Sequence, residues 1–302
     1  MHAWQYLPNP WRQALLDLAR DKRCSDLEEV RFRVDRPVYL YHSGWSVPLL
    51  IDGVALSTSA VELDRIVGVL IDHSLYARVN ELRQGFVTLP GGHRVGIVGR
   101  AVSHHGQVET IGRISGINLR VARAVVGPGE VLTEHLTSLT GRGSWLLASP
   151  PRAGKTTILR DMVRFLGNQG WRVVVVDERS EIAGYGGAGV PGFDLGLHTD
   201  VLDAWPKSEG IEVAVRTLGP DIIAVDELGD ASDFDAIAAA RYAGVRVLAT
   251  VHATNPDDLS MTWHKSLGMF DALVYLTAHP NPGTVSRIDC RKERLAVGEM
   301  RG

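Results

Sequence analysis

The sequence has 302 residues, about twice the length of a common single domain, and this length predicts two domains. Its 32 lysines and arginines and 35 acidic residues give a net charge of -3, and 45% of the residues are hydrophobic. This balance excludes a disordered chain and the basic coat of a nucleic-acid binding protein, so nucleic acid is not an expected partner.

The cysteine content and the hydropathy indicate a cytoplasmic protein. Cys24 and Cys290 are too few and too far apart in sequence for a disulfide framework or a zinc site. Prolines and charged residues interrupt residues 1–18, which argues against a signal peptide. No stretch approaches the roughly 18 uninterrupted apolar residues of a transmembrane helix. Membrane association is therefore expected only through a partner protein.

The first part of the chain has the patterns of an α+β domain. Residues 29–41 alternate apolar and charged positions, which is typical of a half-buried strand and predicts the start of an antiparallel sheet. Apolar residues at helical spacing predict one or two helices over residues 60–83. A Pro-Gly-Gly sequence within residues 88–100 predicts a hairpin, and residues 108–121 predict a further strand.

A change of domain is predicted near residues 128–140. The Gly-Pro-Gly sequence at residues 127–129 and the polar stretch that ends at residues 141–143 are typical of a linker. We therefore predict an N-terminal α+β domain over residues 1–135 and a second domain over residues 136–302.

From Ser144 onward, short apolar runs alternate with helical patterns, as in parallel βαβ units. The runs are almost wholly apolar, which suits a sheet that is buried on both faces. Five runs are predicted as strands: Trp145–Ala148, Trp171–Val176, Ile222–Val225, Val245–Val251 and Ala272–Leu276.

A phosphate-binding loop is predicted after the first of these strands, because Gly154-Lys155-Thr156 stands between an apolar run and a helical pattern. Backbone N–H groups and the positive end of the helix dipole are expected to surround the phosphates. Lys155 is expected to reach the β- and γ-phosphates, and Thr156 to ligate magnesium. The predicted nucleotide-binding residues are Ser149, Pro150, Pro151, Arg152, Ala153, Gly154, Lys155, Thr156 and Thr157.

Ser149 is the one departure of this loop from the standard pattern, because it occupies the position of the first glycine. Pro150 and Pro151 supply no N–H groups, but they precede the part of the loop that is expected to hold the phosphates. ATP binding is therefore expected to survive, with a weakened affinity as the alternative.

A pair of acids, Asp226 and Glu227, ends the apolar run that begins at Ile222 and has the form of a Walker B motif. Asp226 is expected to hold magnesium, mostly through water, and Glu227 to polarise the attacking water. Acids after a strand also cap helices, so the pair alone is weak evidence. The Walker B interpretation depends on the phosphate-binding loop that precedes the pair in the sequence.

Two more strand ends carry polar residues, Glu178 and His252. Ligands of parallel α/β sheets lie at the carboxyl ends of the strands, so Glu178, Glu227 and His252 are expected to converge near the γ-phosphate as catalytic residues together with Lys155. The alternatives are a structural histidine at 252 and a salt-bridge or capping role for Glu178.

At this point the sequence resembles a known family, the stage III sporulation protein AA ATPases, which are relatives of the secretion ATPases that power type II secretion and type IV pili. The resemblance spans nearly the whole chain. Its most specific stretches are residues 176–184, 199–210 and 226–227, and in the N-terminal part residues 73–76, 81–83, 85–86 and 88–96.

The resemblance implies an α/β fold: a RecA-like P-loop NTPase domain with a mainly parallel sheet, in the AAA+ class, preceded by a smaller α+β N-terminal domain. It places Glu178 in the aspartate box of the secretion ATPases, Glu227 in Walker B and His252 in the histidine box. Ser149 and Trp205 depart from the family pattern, and only Ser149 touches the expected chemistry.

The resemblance also implies a location and partners. It implies a cytoplasmic ATPase of the mother cell of an endospore-forming bacterium, with ATP and Mg²⁺ as cofactors. Channel proteins of the complex between mother cell and forespore would hold it at the membrane. It would form a homo-oligomer, a hexameric ring, in which nucleotide lies between the two domains and neighbouring subunits complete the site. The candidate arginines for action across subunits are Arg100, Arg113, Arg120, Arg123 and Arg216.

Two other functions fit the same motifs. A nucleotide-gated scaffold of the same complex would bind ATP with negligible turnover, an alternative that Ser149 raises. A nucleic-acid motor of the RecA kind would share the ATPase core, but the sequence lacks a basic stripe or aromatic platform for single strands.

Overall fold

A computed structural model describes most of the chain, in two compact units. The described residues are 3–20, 27–42, 44–72, 83, 85–104, 107–122, 124–185, 192–253, 258–259 and 266–290. Unit 1 comprises Met1–Arg123 and Gly184–Phe193, and unit 2 comprises Ala124–Ala183 and Asp194–Gly302.

Unit 1 is built around an antiparallel sheet with helices beside it. The helices are a 3-10 helix (Ala3–Tyr6), α1 (Trp11–Arg20) and α2 (Ala60–Asp72). The strands are β1 (Leu27–Arg33), β2 (Arg36–Pro37), β3 (Tyr39–His42), β4 (Trp45–Pro48), β5 (Leu50–Ile51), β6 (Val54–Ala55), β7 (Ser57–Thr58), β8 (Phe86–Leu89), β9 (His93–His104) and β10 (Gln107–Arg120). The main sheet has six strands in the order β4-β3-β1-β10-β9-β8, and β2-β7 and β5-β6 form two small pairs.

The strand predictions for unit 1 are confirmed with one difference. Residues 29–41 contain three strands instead of one: β1 and β3, which pair antiparallel, and the short β2 between them. The strand is interrupted because the chain turns at Asp35, which has a φ of +55°, and the proline at 37 follows. The Pro-Gly-Gly turn joins β8 to β9, and residues 108–121 lie in β10 or directly after it. The alternation has a physical reason, since Val30 and Phe32 are buried and Phe32 packs edge-to-face on Trp11 at 6.1 Å.

Helix α2 covers the first part of the helical prediction for residues 60–83, and residues 73–82 lie outside the described part. A capping box begins the helix: the Glu62 amide donates to the Ser59 hydroxyl at 3.3 Å, and the Ser59 amide donates to the Glu62 carboxylate at 2.8 Å.

Unit 2 is a layered α/β unit. Its helices are α3 (Pro128–Thr140), α4 (Lys155–Asn168), α5 (Lys207–Val213), a π-helix (Ala214–Leu218) that continues α5, α6 (Ala231–Tyr242) and a 3-10 helix (Ser266–Met269). Its strands are β11 (Trp145–Ser149), β12 (Val173–Asp177), β13 (Thr199–Asp203), β14 (Ile222–Leu228), β15 (Arg246–His252), β16 (Ala272–Thr277) and β17 (Thr284–Cys290). The sheet has the order β13-β12-β14-β15-β11-β16-β17, and every pairing is parallel except that of β16 with β17.

All five apolar runs predicted in this part of the chain are strands, and they occupy the inner positions of the sheet. The strands that the sequence did not predict, β13 and β17, lie at its two edges. Edge strands have one neighbour, so their residues need not be apolar, and Asp200 and Asp203 in β13 are partly or fully exposed.

The stretch predicted as a linker contains helix α3. The buried Asp161 carboxylate accepts hydrogen bonds from the amides of Gly127 (2.8 Å), Gly129 (2.8 Å) and Glu130 (3.3 Å), and so caps the start of this helix. The predicted domain boundary between residues 135 and 136 therefore falls inside α3, while the two compact units divide after Arg123.

Unit 1 also includes a distant segment, Gly184–Phe193, which no local pattern indicates. The Gly91 amide donates to the Gly184 carbonyl at 3.0 Å, and a Cβ on Gly192 would approach Gly91 within 2.4 Å, so glycine is needed for this contact. None of the helices in the described part of the chain combines the length and the apolar composition that a membrane span requires.

Candidate nucleotide site

The predicted phosphate-binding loop joins the end of β11 to the start of α4. Gly154 precedes the helix with a φ of +86°, and a Cβ at this position would lie 2.9 Å from the Gly283 amide nitrogen. That amide donates to the Ala153 carbonyl at 2.8 Å. The turn between β16 and β17 thus supports the loop from behind, and only glycine fits at residue 154.

A cavity of about 410 Å³ opens in front of this loop. Its lining combines the loop, the neighbouring acids Asp226 and Glu227 and the histidine at the end of β15. The lining residues are Pro151, Arg152, Gly154, Lys155, Thr156, Thr157, Glu181, Asp226, Glu227, His252 and Pro282.

Ser149 is not part of this lining. The residue is buried, and its hydroxyl donates to the Pro150 carbonyl at 2.8 Å. Its own carbonyl accepts a hydrogen bond from the Lys155 amine at 3.2 Å. The hydroxyl of the serine that replaces the first glycine therefore has a hydrogen-bond partner within the loop, and the side chain does not line the cavity.

The Lys155 amine is buried and lies 2.9 Å from Nδ1 of His252. Burial lowers the pKa of Lys155, against the opposing charges of Asp226 and Glu227. A lysine ammonium only donates, so Nδ1 of His252 is the acceptor of this contact while Lys155 carries its charge. Nε2 lies 3.1 Å from Oε1 of Glu227.

Thr156 and Asp226 meet at the floor of the cavity, where the Thr156 hydroxyl donates to Oδ2 of Asp226 at 2.7 Å. The buried Thr250 hydroxyl donates a hydrogen bond to Oδ1 of Asp226. It also accepts a hydrogen bond from the Glu227 amide at 2.8 Å. A hydroxyl and a carboxylate are hard oxygen donors that suit Mg²⁺, so these residues fit the predicted ion. The described residues contain no group of three or more His, Cys, Asp and Glu side chains arranged for a metal, so an ion here would need phosphate and water oxygens as well.

Glu227 is held at its backbone and at both carboxylate oxygens. Its φ of +51° is uncommon for a residue with a side chain, and such conformations cluster at functional sites. Oε2 accepts a hydrogen bond from Nη1 of Arg179 at 2.8 Å, and Oε1 faces His252. The sequence reasoning assigned no role to Arg179.

Glu178 is the predicted catalytic residue that the structure does not bring into the main cavity. Its carboxylate pairs with the Lys207 amine at 2.5 Å, in a small adjoining pocket that Asp226 and Glu227 also line. The acid that lines the main cavity from the same loop is Glu181. Glu178 therefore does not line the main cavity together with His252, and its catalytic role stays a prediction.

Asp177 anchors that loop from inside. Its carboxylate accepts hydrogen bonds from the amides of Glu181 (2.9 Å), Ile182 (2.9 Å) and Ala183 (2.8 Å). Burial raises the pKa of Asp177 to about 7. The guanidinium of Arg160 donates to the Glu181 and Ile182 carbonyls, and burial lowers its pKa to about 10. Sequence reasoning missed both residues, although an aspartate that ends a run of four valines was a signal.

The remaining predicted positions are placed as follows. Arg100, Arg113 and Arg120 are exposed in unit 1, and Arg216 of unit 2 faces Glu212 at 3.8 Å. Cys290 is a free, exposed thiol at the end of β17. Cys24, Arg123 and residues 73–76, 81 and 82 lie outside the described part of the chain.

Residues 4–295 match the family described as sporulation stage III, protein AA. The chain belongs to this family. It is 37% identical over 298 residues to the stage III sporulation protein AA of Bacillus subtilis (strain 168), a match that covers 94% of this chain and 93% of that protein. The predicted resemblance is confirmed.

Solved structures with a similar fold include secretion ATPases. The ATPase DotB of Legionella pneumophila aligns with a TM-score of 0.55 at 14% identity, covering 86% of this chain and 75% of that chain. The pilus retraction motor PilT with bound ADP aligns with a TM-score of 0.59 at 15% identity, covering 86% of this chain and 77% of that chain. The fold is thus that of the P-loop NTPases, and the expected AAA+ class is wrong because secretion ATPases are not AAA+ proteins.

Proposed function

We propose that this chain binds and hydrolyses Mg-ATP to power or assemble a secretion-like channel complex between mother cell and forespore during endospore formation. The observation that carries the proposal is the single cavity that holds Lys155, Thr156, Asp226 and Glu227. Membership of the sporulation family supports the biological setting, and the fold shared with secretion ATPases supports nucleotide hydrolysis.

Each side chain of the cavity has a role in this proposal. The amides of the loop and the Lys155 ammonium bind the phosphates. Thr156 and Asp226 would hold magnesium, which when bound neutralises phosphate charge. Glu227 orients the attacking water, and His252 holds Lys155 and Glu227 at a fixed spacing.

The proposal includes assembly. Six copies would form a ring, and channel proteins of the sporulation complex would hold that ring at the mother-cell side of the membrane. An arginine from a neighbouring copy would then approach the γ-phosphate and increase turnover by about 10³-fold or more. The candidates remain Arg100, Arg113, Arg120, Arg123 and Arg216.

The first experiment is to measure phosphate release per protomer over a range of protein concentrations, with particle mass recorded at each concentration. Wild type, Lys155→Ala and the control Arg172→Ala are compared, since Arg172 is an exposed basic residue outside the cavity. We expect specific activity to rise with the fraction of rings in wild type and Arg172→Ala, and to vanish in Lys155→Ala.

Two other outcomes would replace the proposal. Nucleotide-dependent ring assembly without phosphate release would favour the scaffold. Phosphate release stimulated by single-stranded DNA, with salt-dependent binding of that DNA, would favour a nucleic-acid motor.

A further inference from the structure

A guanidinium lies beside the acid that the proposed function assigns to the attacking water. Nη1 of Arg179 donates to Oε2 of Glu227 at 2.8 Å, while Oε1 of Glu227 faces Nε2 of His252 at 3.1 Å. We propose that Arg179 is a positioning residue for hydrolysis, which fixes the Glu227 carboxylate so that it can orient water. This inference rests on the proposed ATPase function.

The loop that carries Arg179 is held on both sides of this residue. Before it, the buried Asp177 carboxylate accepts three amides of the same loop, those of residues 181–183. After it, Ser180 adopts a φ of +52°, and its hydroxyl donates to Asp203 at 2.6 Å. A side chain on an anchored backbone loses less conformational freedom when it makes a directed contact, so this loop suits a positioning role.

Glu227 is also held in place at its backbone and at its carboxylate. Its left-handed backbone sets the direction of the side chain, and its amide is tied to the buried Thr250 hydroxyl at 2.8 Å. The carboxylate would still rotate about its side-chain bonds if it had no partners. Contacts to Arg179 on one oxygen and to His252 on the other remove that freedom, which preorganises the acid.

The contact between Arg179 and Glu227 contributes little to the stability of the fold, because 56% of the Arg179 side chain is exposed and ion pairs in water are weak. The chain supplies a matched comparison in Arg172 and Asp221, which pair at the same distance of 2.8 Å with side chains 65% and 33% exposed. That pair lies at the opposite ends of the strands, beside the starts of β12 and β14, and lines neither of the two pockets at the Walker B acids.

The test is the steady-state kinetics of the full chain at a concentration where wild type forms rings, for Arg179→Ala, Arg179→Lys and Arg172→Ala. Binding of Mg-ATP is measured separately by equilibrium titration. We expect kcat to fall about tenfold or more in Arg179→Ala with the Kd for Mg-ATP changed by less than about threefold. Arg179→Lys should recover part of the loss, because it keeps one charged donor, and Arg172→Ala should match wild type.

A double variant tests whether Arg179 acts through Glu227. If it does, adding Arg179→Ala to Glu227→Gln produces no further loss in single-turnover hydrolysis, since the acid that it positions is already gone. A further loss of about tenfold would show an independent action and overturn the inference.

Two results of the single variants also overturn it. One is a kcat for Arg179→Ala equal to that of wild type, and the other is a raised Kd for Mg-ATP with kcat unchanged, which would make Arg179 a nucleotide-binding residue. In both cases the wild type still hydrolyses ATP, so the proposed function stands. Absence of turnover in the wild type, with Mg-ATP bound, would instead reject the ATPase function and this inference with it.

Discussion

The hydroxyl of Thr156 donates a hydrogen bond of 2.7 Å to the carboxylate of Asp226, across 70 residues of sequence. This bond joins the first turn of α4 to the end of β14, and so links the proposed phosphate-binding loop directly to the acid segment of Asp226 and Glu227. It brings two oxygen donors together before any ion is added. The position of each donor therefore depends on the residues that hold the other, and the following predictions test those supports.

Glu227→Gln should abolish turnover and leave binding intact. The amide keeps the size of the side chain but does not act as a base, so we expect phosphate release to fall by about 10² to 10⁴-fold. The Kd for Mg-ATP should remain within about threefold of wild type, because Lys155 and the loop are unchanged. Glu109→Gln is the control, since Glu109 is an exposed acid that lies 3.8 Å from His104 and does not line the cavity. Normal hydrolysis by Glu227→Gln would show that the assigned role is wrong.

Thr250→Val should destabilise the fold and impair the site together. Valine keeps the shape of the buried threonine but removes the hydroxyl that bonds both Asp226 and the Glu227 amide. Leaving those groups unpaired costs about 1–3 kcal/mol of unfolding free energy, which urea titration measures. Thr250→Ser should recover most of the loss. Thr217→Val serves as the control, because that hydroxyl bonds only a helical carbonyl and is exposed. If Thr250→Val and wild type had the same free energy of unfolding, the two hydrogen bonds of the Thr250 hydroxyl would not stabilise the fold as predicted.

Gly154→Ala should weaken nucleotide binding far more than Gly170→Ala does. Both glycines have a φ of +86°, so each alanine meets a similar backbone penalty of about 1–2 kcal/mol. Only at residue 154 does the new Cβ meet another part of the chain, the Gly283 amide at 2.9 Å, while at residue 170 nothing lies within 4 Å. Overpacking there costs about 1–3 kcal/mol, which corresponds to about 5- to 150-fold in the Kd for Mg-ATP if it all falls on the nucleotide-bound conformation. Equal affinities of the two variants would show that the β16–β17 turn does not shape the loop.

The free energy of unfolding should depend on pH because of Asp177. Burial raises the pKa of Asp177 to about 7 from an ordinary value of 3.8. Between these values the native protein keeps a proton that the unfolded chain has lost, so unfolding releases it and a rising pH favours the unfolded state. The free energy of unfolding should fall by at most about 1.4 kcal/mol per pH unit from this group between pH 4 and 7.

Asp177→Asn removes that contribution, so the difference between wild type and variant should change with pH in urea titrations at pH 5, 6, 7 and 8. Asp221 provides a contrast of opposite sign, because its hydrogen bonds to Arg172 lower its pKa. Its contribution is present above its ordinary pKa and is lost as the pH falls through the lowered value, so Asp221→Asn should leave the profile between pH 5 and 8 unchanged. A pH-independent difference between wild type and Asp177→Asn would contradict the raised pKa.

The sequence by itself determined the inner strands of unit 2, the Gly-Lys-Thr loop between β11 and α4, and the strand that carries Asp226 and Glu227 near its end. These features are local: a strand buried on both faces needs an apolar run, and a loop that wraps phosphates needs glycine at a positive φ. The Pro-Gly-Gly hairpin of unit 1 was predicted for the same reason.

The tertiary structure decided what depends on distant partners. Helix α3 looked like a linker because Gly129 in its first turn and the flanking Gly127 and Gly141 weaken the local signal. The Asp161 carboxylate that caps it lies more than 30 residues away. The edge strands escaped detection because one open side permits polar residues. Arg179, which follows β12, and Thr250 in β15 both contact Glu227 in the strand between them, β14, because the parallel sheet brings these segments together. The pairing of Glu178 with Lys207 joins the end of β12 to the start of helix α5. Sequence spacing indicates which residues end a strand, but the direction of each side chain follows from the charges and hydrogen-bond partners that the fold places around it.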